Sequence, residues 1–341
     1  MHKLVQNIPK LIISTAIFLS ALSAADQSPL VSATKSRVAL DVASRLNLPE
    51  SRPSSQMYFV GLDFHKIFST RGTDFATVLL QPYWVDANNL MPFPSFLDDP
   101  DDGGLQWRNA LIDFHLTRSR ALNLKVGHLE IPFGAESLAL DTNGTLRQLT
   151  SNIGLKVDWG VSLHGDHQGL EYEVAWTRGS GNDWETQGDP GVVSGRIGRS
   201  RYHNFIWGLS WLDGDFLTPG GIVPKTRYGA DFTLYHEQYR LIGDFSSGDD
   251  DGLDRHYAML ELTHESPDST LDAYSQIRYQ RNELPQMGST STKTAVIGMK
   301  WEPSLGFHIS TQIRIWSDYE RGAEPPALLQ VQIRKRFIGG M

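Results

Sequence analysis

The sequence predicts an all-β protein, a transmembrane antiparallel β-barrel of about 16 strands with short turns at one end and long loops at the other. Three observations carry this reading. Apolar and polar residues alternate at period two along most of the chain, the N-terminus reads as an export signal, and long and short connections alternate.

The export signal occupies residues 1–25. Lys3 and Lys10 precede the apolar run Leu11–Leu22, and small residues follow, with cleavage expected after Ala24 or Ala25. The run is too short for a membrane anchor, and nothing basic follows it to stop transfer. The remainder, 26–341, is expected as one barrel domain in the bacterial cell outer membrane. It carries 29 basic residues, the chain's 31 less Lys3 and Lys10, against 39 acidic ones, a net charge of −10. That balance opposes a nucleic-acid partner, whose binding surface is basic. No mature stretch approaches the roughly 18 consecutive apolar residues of a membrane helix. The absence of Cys excludes disulfide frameworks and thiolate metal sites.

The strands follow in order. Residues 36–47 set Val38, Leu40 and Val42 against Arg37, Asp41 and Arg45. Residues 56–66 alternate Tyr58, Val60, Leu62 and Phe64 with Gly61, Asp63 and His65. The same period marks 73–86, 104–117, 120–133, 156–165, 168–178, 191–198, 203–213, 225–235, 237–247, 254–264, 269–281 and 292–302. In 305–317, Phe307, Ile309, Ile313 and Ile315 alternate with His308, Ser310, Gln312 and Arg314. In 326–338, Leu329, Val331, Ile333 and Phe337 alternate with Gln330, Gln332, Arg334 and Arg336. Such strands have one apolar and one polar face. Parity in 73–86 is ambiguous, and 191–198 is the weakest segment.

Connections after odd-numbered segments are long: PESRPSS, 87–103, 134–155, 179–190, 214–224, 248–253, 282–291 and 318–325. Those after even-numbered segments are short. An even strand number with this asymmetry fits an exported barrel with both termini periplasmic and the long loops extracellular. Apolar rows such as Phe205, Trp207, Leu209 and Trp211, or Leu170, Tyr172, Val174 and Trp176, are expected to face lipid. The opposite, charged faces then line water, because 16 strands leave an aqueous channel.

Residues 120–181 carry a further pattern. In LNLKVGHLEIPFGAE stand Gly127, Pro132, Phe133 and Gly134; in DWGVSLHGDHQGLEYEVAWTRGSG stand Asp158, Gly160, Gly165, Gly179 and Gly181. This stretch resembles the phosphate-selective porin (porin O/P) family of outer-membrane channels. The resemblance implies a 16-stranded porin, a homotrimer, with its third extracellular loop folded inward as a constriction, and phosphate or another anion as the favoured solute. The loop maps onto residues 134–155, the longest connection found independently. The last strand ends with Phe337 followed by Ile338, Gly339, Gly340 and Met341, where the family ends on an aromatic residue.

By parity, the basic residues expected to line the pore include Arg37, Arg45, Lys125, Arg278, Lys300, Arg314, Arg334 and Arg336. The acidic ones include Asp63, Asp113, Glu171 and Glu173. The basic residues concentrate on the last four strands and the first, the acidic ones on strands two to seven. A basic arc facing an acidic arc across the lumen is expected to orient ionic and dipolar solutes. Within 134–155, Glu136, Asp141 and Arg147 are expected to narrow the pore if the loop folds inward, or to cap the mouth if it does not.

The outer loops are acid-rich, at 98–102, 249–251, Asp183, Glu185, Asp189, Asp213 and Asp215. Such carboxylates either simply solvate the loops or bind divalent cations that bridge to lipopolysaccharide. No metal site, cofactor or catalytic motif is expected. Ser162, His164 and Asp113 or Glu171 share one lumenal face, which leaves a rim hydrolase as a remote alternative. The function expected is passive diffusion of small hydrophilic solutes. The alternative is a barrel sheathing an electron-transfer partner, which conductance would distinguish.

Overall fold

The computed structural model describes residues 36–50, 53–70, 72–88, 103–135, 146, 153–184, 188–199, 202–218, 220–284, 288–317 and 327–340. The expected signal segment 1–25 lies outside them. All 16 strands close into one antiparallel barrel in which each strand pairs with its sequence neighbours and β1 pairs with β16. They are β1 (Ser36–Pro49), β2 (Ser55–Thr70), β3 (Thr73–Asn88), β4 (Gly103–His115), β5 (Asn123–Glu130), β6 (Val157–His167), β7 (Leu170–Thr177) and β8 (Gly191–Arg199). The second half comprises β9 (Phe205–Thr218), β10 (Gly221–His236), β11 (Tyr239–Asp250), β12 (Leu253–Glu265), β13 (Leu271–Leu284), β14 (Gly288–Ser304), β15 (Phe307–Ser317) and β16 (Ala327–Gly340).

Closure follows from period two. In β9, Phe205, Trp207, Leu209 and Trp211 are exposed on the outer wall, while Ile206, Ser210 and Leu212 are buried inside. In β16, Leu329, Ile333 and Phe337 point out and Gln330, Gln332 and Arg334 point in. An apolar exterior over a polar interior is the reverse of a water-soluble barrel and is the pattern of one that crosses a bilayer.

Ladder pairing extends past the lipid-facing rows, which corrects three expected loops. The 214–224 connection shrinks to 219–220, the 248–253 connection to Asp251 and Gly252, and the 282–291 connection to 285–287. The outer face turns polar at Asp213, whose carboxylate accepts from Thr226 Oγ1 at 2.6 Å, yet backbone pairing continues to Thr218 and Gly221. The alternating apolar signal ends with the bilayer, whereas the hydrogen-bond ladder does not need it. At the other extreme, β5 stops at Glu130, short of the expected Phe133, because the chain leaves the wall there.

The interior is not uniformly wet. Inward-facing apolar clusters form at Ile131, Phe133, Ile153, Val192, Leu212 and Phe216, at Ala135, Ile242, Tyr257 and Met259, and at Ala43, Met57, Phe59, Tyr83 and Val85. The first two are the seat of a segment that crosses the lumen.

Candidate pore and constriction

The crossing segment starts at the end of β5. Gly127, at φ +131°, sits where a Cβ would strike the backbone of Ala110, so β4 and β5 approach closely just below it. Pro132 and Phe133 then turn inward, and Gly134 at φ +67° completes the bend. The Phe133 ring lies on Gly229 of β10, which has no side chain to exclude it. Gly134 donates its backbone N–H to Ser210 Oγ on β9 at 3.0 Å, and Ala135 donates to Asp244 Oδ2 on β11 at 3.1 Å. β5 and β11 are six strands apart, so the segment reaches the opposite wall. The returning end is held on the same side: Lys225 on β10 donates to the Ile153 carbonyl at 3.2 Å, and its ammonium lies 4.7 Å from the Phe216 ring centroid. Residue 146 is also buried. Glu136, Asp141 and Arg147 lie outside the described residues.

The Gly-rich motif farther along has a separate job. Asp158, fully buried, accepts the backbone N–H groups of Trp159 (2.9 Å), Gly179, Ser180 (3.2 Å) and Gly181 (3.0 Å). A carboxylate with that many N–H partners is well satisfied and fixes the turn after β7. Beyond it, Asn182 accepts from Trp107 N–H at 2.8 Å and from Trp159 Nε1 at 3.3 Å, capping the β4 edge that β5 leaves exposed by peeling away.

The charged residues singled out from the sequence are placed as follows. Arg334 Nε meets Asp41 Oδ1 at 2.8 Å and Arg336 Nη1 meets Asp41 Oδ2 at 2.6 Å, while Arg336 also pairs with Asp63. Tyr83 lies flat over Gly61 and donates to Asp41 at 3.3 Å or Asp63 at 3.2 Å. The basic and acidic arcs therefore touch at the β16–β1–β2 seam, which corrects the picture of two arcs separated by the lumen. Lys300 pairs with Asp272 at 2.7 Å, and Lys125 with Glu173 at 2.8 Å. His164 Nε2 lies 3.0 Å from Asp113, and Glu171 faces inward opposite Asp166. Arg45 donates to Gln332 at 2.9 Å, Arg278 to Gln276 at 3.0 Å, and Arg314 stacks 5.6 Å from the Trp316 ring. Arg37 is exposed at the turn-end rim. Tangential pairing of this kind is what β-strand register favours, since facing side chains on adjacent strands lie within reach.

Two features escaped sequence reasoning. Lys225 and Arg255 join Arg227 on the inner face near the loop end, where Asp250 pairs with both arginines at 2.6 Å. Lys225 and Arg255 share the inward parity of segments 225–235 and 254–264, but the meeting of Arg227 and Arg255 at Asp250 is a contact between strands that no local pattern shows. The second is a neutral belt running from Tyr274 to Gln312 (2.8 Å), Gln330 (2.5 Å), Asn47 (2.8 Å) and Ser55 (2.9 Å) across the closure seam. Its signal was the inward Gln312 and Gln330 of the last two strands with Asn47 of the first, visible but unassigned.

Ser162 and His164 are not partnered: Ser162 donates to Glu173 at 2.5 Å, while the His164 ring engages Asp113. The arrangement is a charge ladder rather than a nucleophile and its base.

The sequence matches no protein-family model and no curated protein. Solved structures are similar in fold. A loop-deletion mutant of OmpT, an outer membrane protein of Vibrio cholerae, matches with a TM-score of 0.65 at 9% identity, covering 90% of this chain and 100% of that one. OmpF of Salmonella typhi, solved with daunomycin, matches at 0.64 and 10% identity, covering 89% and 97%. An anion-selective porin from Comamonas acidovorans matches at 0.62 and 11% identity, covering 89% and 100%.

Proposed function

We propose that the protein is an outer-membrane porin that gives passive diffusion to small hydrophilic solutes through an eccentric channel. The observation that carries this is the segment Ile131–Ala135 seated on the inner wall of β9–β12, which leaves the arc that continues from there, β13–β16 with β1 and β2, open as the path. That arc presents Arg278, Lys300, Arg314, Arg334, Arg336, Arg37 and Arg45 against Asp272, Asp41, Asp63 and Glu302. Its excess of cations supports anions, phosphate among them, as the favoured solutes. The connection 134–155 acts as the constriction. Homotrimers are the proposed assembly; a solved form of the Vibrio cholerae OmpT is described as a trimer. The signal segment 1–25, lipid contact and lipopolysaccharide bridging by the acidic loops complete the proposal.

The test is single-channel conductance of the refolded protein in a planar bilayer with a salt gradient. Ohmic steps in groups of three, with reversal potentials on the anion side, support it. Arg45→Gln with Arg314→Gln should move the reversal potential toward cations. A correctly folded but silent barrel would favour the sheath for a partner protein instead.

A further inference from the structure

We propose that the turn-end mouth is a histidine pH sensor, which moves the channel toward anions when that side alone is acidified. The proposal rests on the channel reading above. Of the ten described histidines, His65, His115, His164, His167, His203, His236, His264 and His308 lie in the turn-end part of a strand or in a turn; His128 and His256 lie toward the loop end. No packing rule places histidine at one end of a barrel. Its ordinary pKa, about 6.5, makes it the side chain that gains charge between roughly pH 7.5 and 5.5.

Four of the eight face the lumen. His65 on β2 stands opposite Arg37 on β1 and Leu79 on β3. His115 on β4 meets the Asp74 carbonyl at 3.2 Å and Thr77 Oγ1 at 3.4 Å on β3, with Asn123 opposite on β5 and Asp113 on its own face; the Asp74 carboxylate itself is bonded to Arg120. His164 on β6 meets Asp113 at 3.0 Å, with Asn123 on β5 and Glu173 on β7 opposite, the latter held by Lys125. His308 on β15 lies 3.5 Å from Glu302, with Arg334 opposite on β16.

Protonation acts in one direction at all four. At His164 and His308 the new charge cancels a neighbouring carboxylate, and at His65 it adds to Arg37. His167, His203, His236 and His264 add charge to the surrounding rim. The lumen at this end becomes more repulsive to cations and more attractive to anions. The charged groups that meet on the inner wall near the loop end, Asp250 with Arg227 and Arg255, are not histidines.

The experiment uses single channels of the full mature chain under a KCl gradient, at pH 7.5 on both sides and then at pH 5.5 on one side. Acid on one side should lower the cation-to-anion permeability ratio about twofold between pH 7.5 and 5.5, and acid on the other side should not. The combined variant His65→Gln, His115→Gln, His164→Gln and His308→Gln should keep its pH 7.5 conductance and lose the response. His256→Gln should retain it. If the combined variant fails to assemble, His65→Gln and His164→Gln singly should each reduce the shift. An equal response from both sides, a midpoint near pH 4, or an undiminished response in the variants overturns the proposal. Conductance without any sided response defeats the sensor alone, whereas silence at pH 7.5 defeats the channel and the sensor together.

Discussion

Glycines set how long side chains lie on the inner wall. A Cβ at Gly61 would sit inside the Tyr83 ring, and one at Gly298 would meet the Tyr274 phenol. At Gly208 it would meet the Arg196 guanidinium, which crosses β9 to pair with Asp231 on β10 at 2.6 Å. Each glycine lets a polar side chain run tangentially to the next strand but one rather than project into the lumen. Gly61→Ala should therefore dislodge Tyr83 from Asp41 and Asp63 and destabilise the barrel by about 1–3 kcal/mol, read from the denaturant midpoint. Asp158 shows the converse, a residue whose role is to satisfy backbone. Asp158→Ala leaves the N–H groups of residues 179–181 without their acceptor, and each buried orphan costs about 1–3 kcal/mol. The expected result is proteolysis within 178–190 at protease levels that spare the parent protein. The motif glycines were legible in the sequence as a pattern, but their reasons, a close strand approach and a capped turn, needed the third dimension.

At the scale of elements, β5 is the one that departs from its neighbours. It has 8 residues where β4 has 13, because its continuation trades ladder hydrogen bonds for Phe133 packed on β9 and β10. Phe133→Ala removes that anchor, a change worth about 3–5 kcal/mol for a buried aromatic. Larger and noisier single-channel conductance with unchanged barrel content by circular dichroism is expected; unchanged conductance would remove the segment from the constriction. The β12–β13 turn makes a smaller, pH-dependent contribution. Hydrogen bonds from Ser266 and Thr270 hold the exposed Asp268 carboxyl below its ordinary range. A depressed carboxyl stabilises above its unfolded pKa, about 3.9, and that stabilisation is lost as pH falls through the lower folded value. Asp268→Asn should consequently lower the unfolding midpoint slightly at pH 7 and make no difference near pH 2.

For the whole molecule, the decisive quantity is how charge is distributed around the inner wall. Many inward charges are matched by a neighbour on the adjacent strand, as in Arg108 with Glu130 at 3.1 Å or Arg196 with Asp231. Among the described residues, the inward charges of β13–β16 and β1 are mostly basic, on the arc beyond the seat of the crossing segment. Charge reversal at Arg334, whose partner Asp41 is fully buried, should cost several kcal/mol and prevent assembly, because a buried carboxylate would face another. Arg278→Gln, at a half-buried site beside Gln276, should instead assemble and shift the reversal potential toward cations. Heat resistance on a gel separates the first outcome, and a salt-gradient bilayer recording the second.

The sequence by itself determined the barrel. Each membrane-facing strand must show lipid an apolar side and water a polar one, and period two writes that requirement into local sequence, as in Phe205 to Trp211. Strand number and the alternation of short turns followed from the same local signal, even where paired strands outran it at Asp213 and Asp250. The tertiary structure decided which charges meet and which part of the lumen stays open. Arg336 reaches Asp63 only because β16 closes on β1, and Ala135 reaches Asp244, 109 residues later, only because the chain crosses the lumen. Those contacts join residues far apart in the chain, and no short-range periodicity encodes which distant side chains share one space.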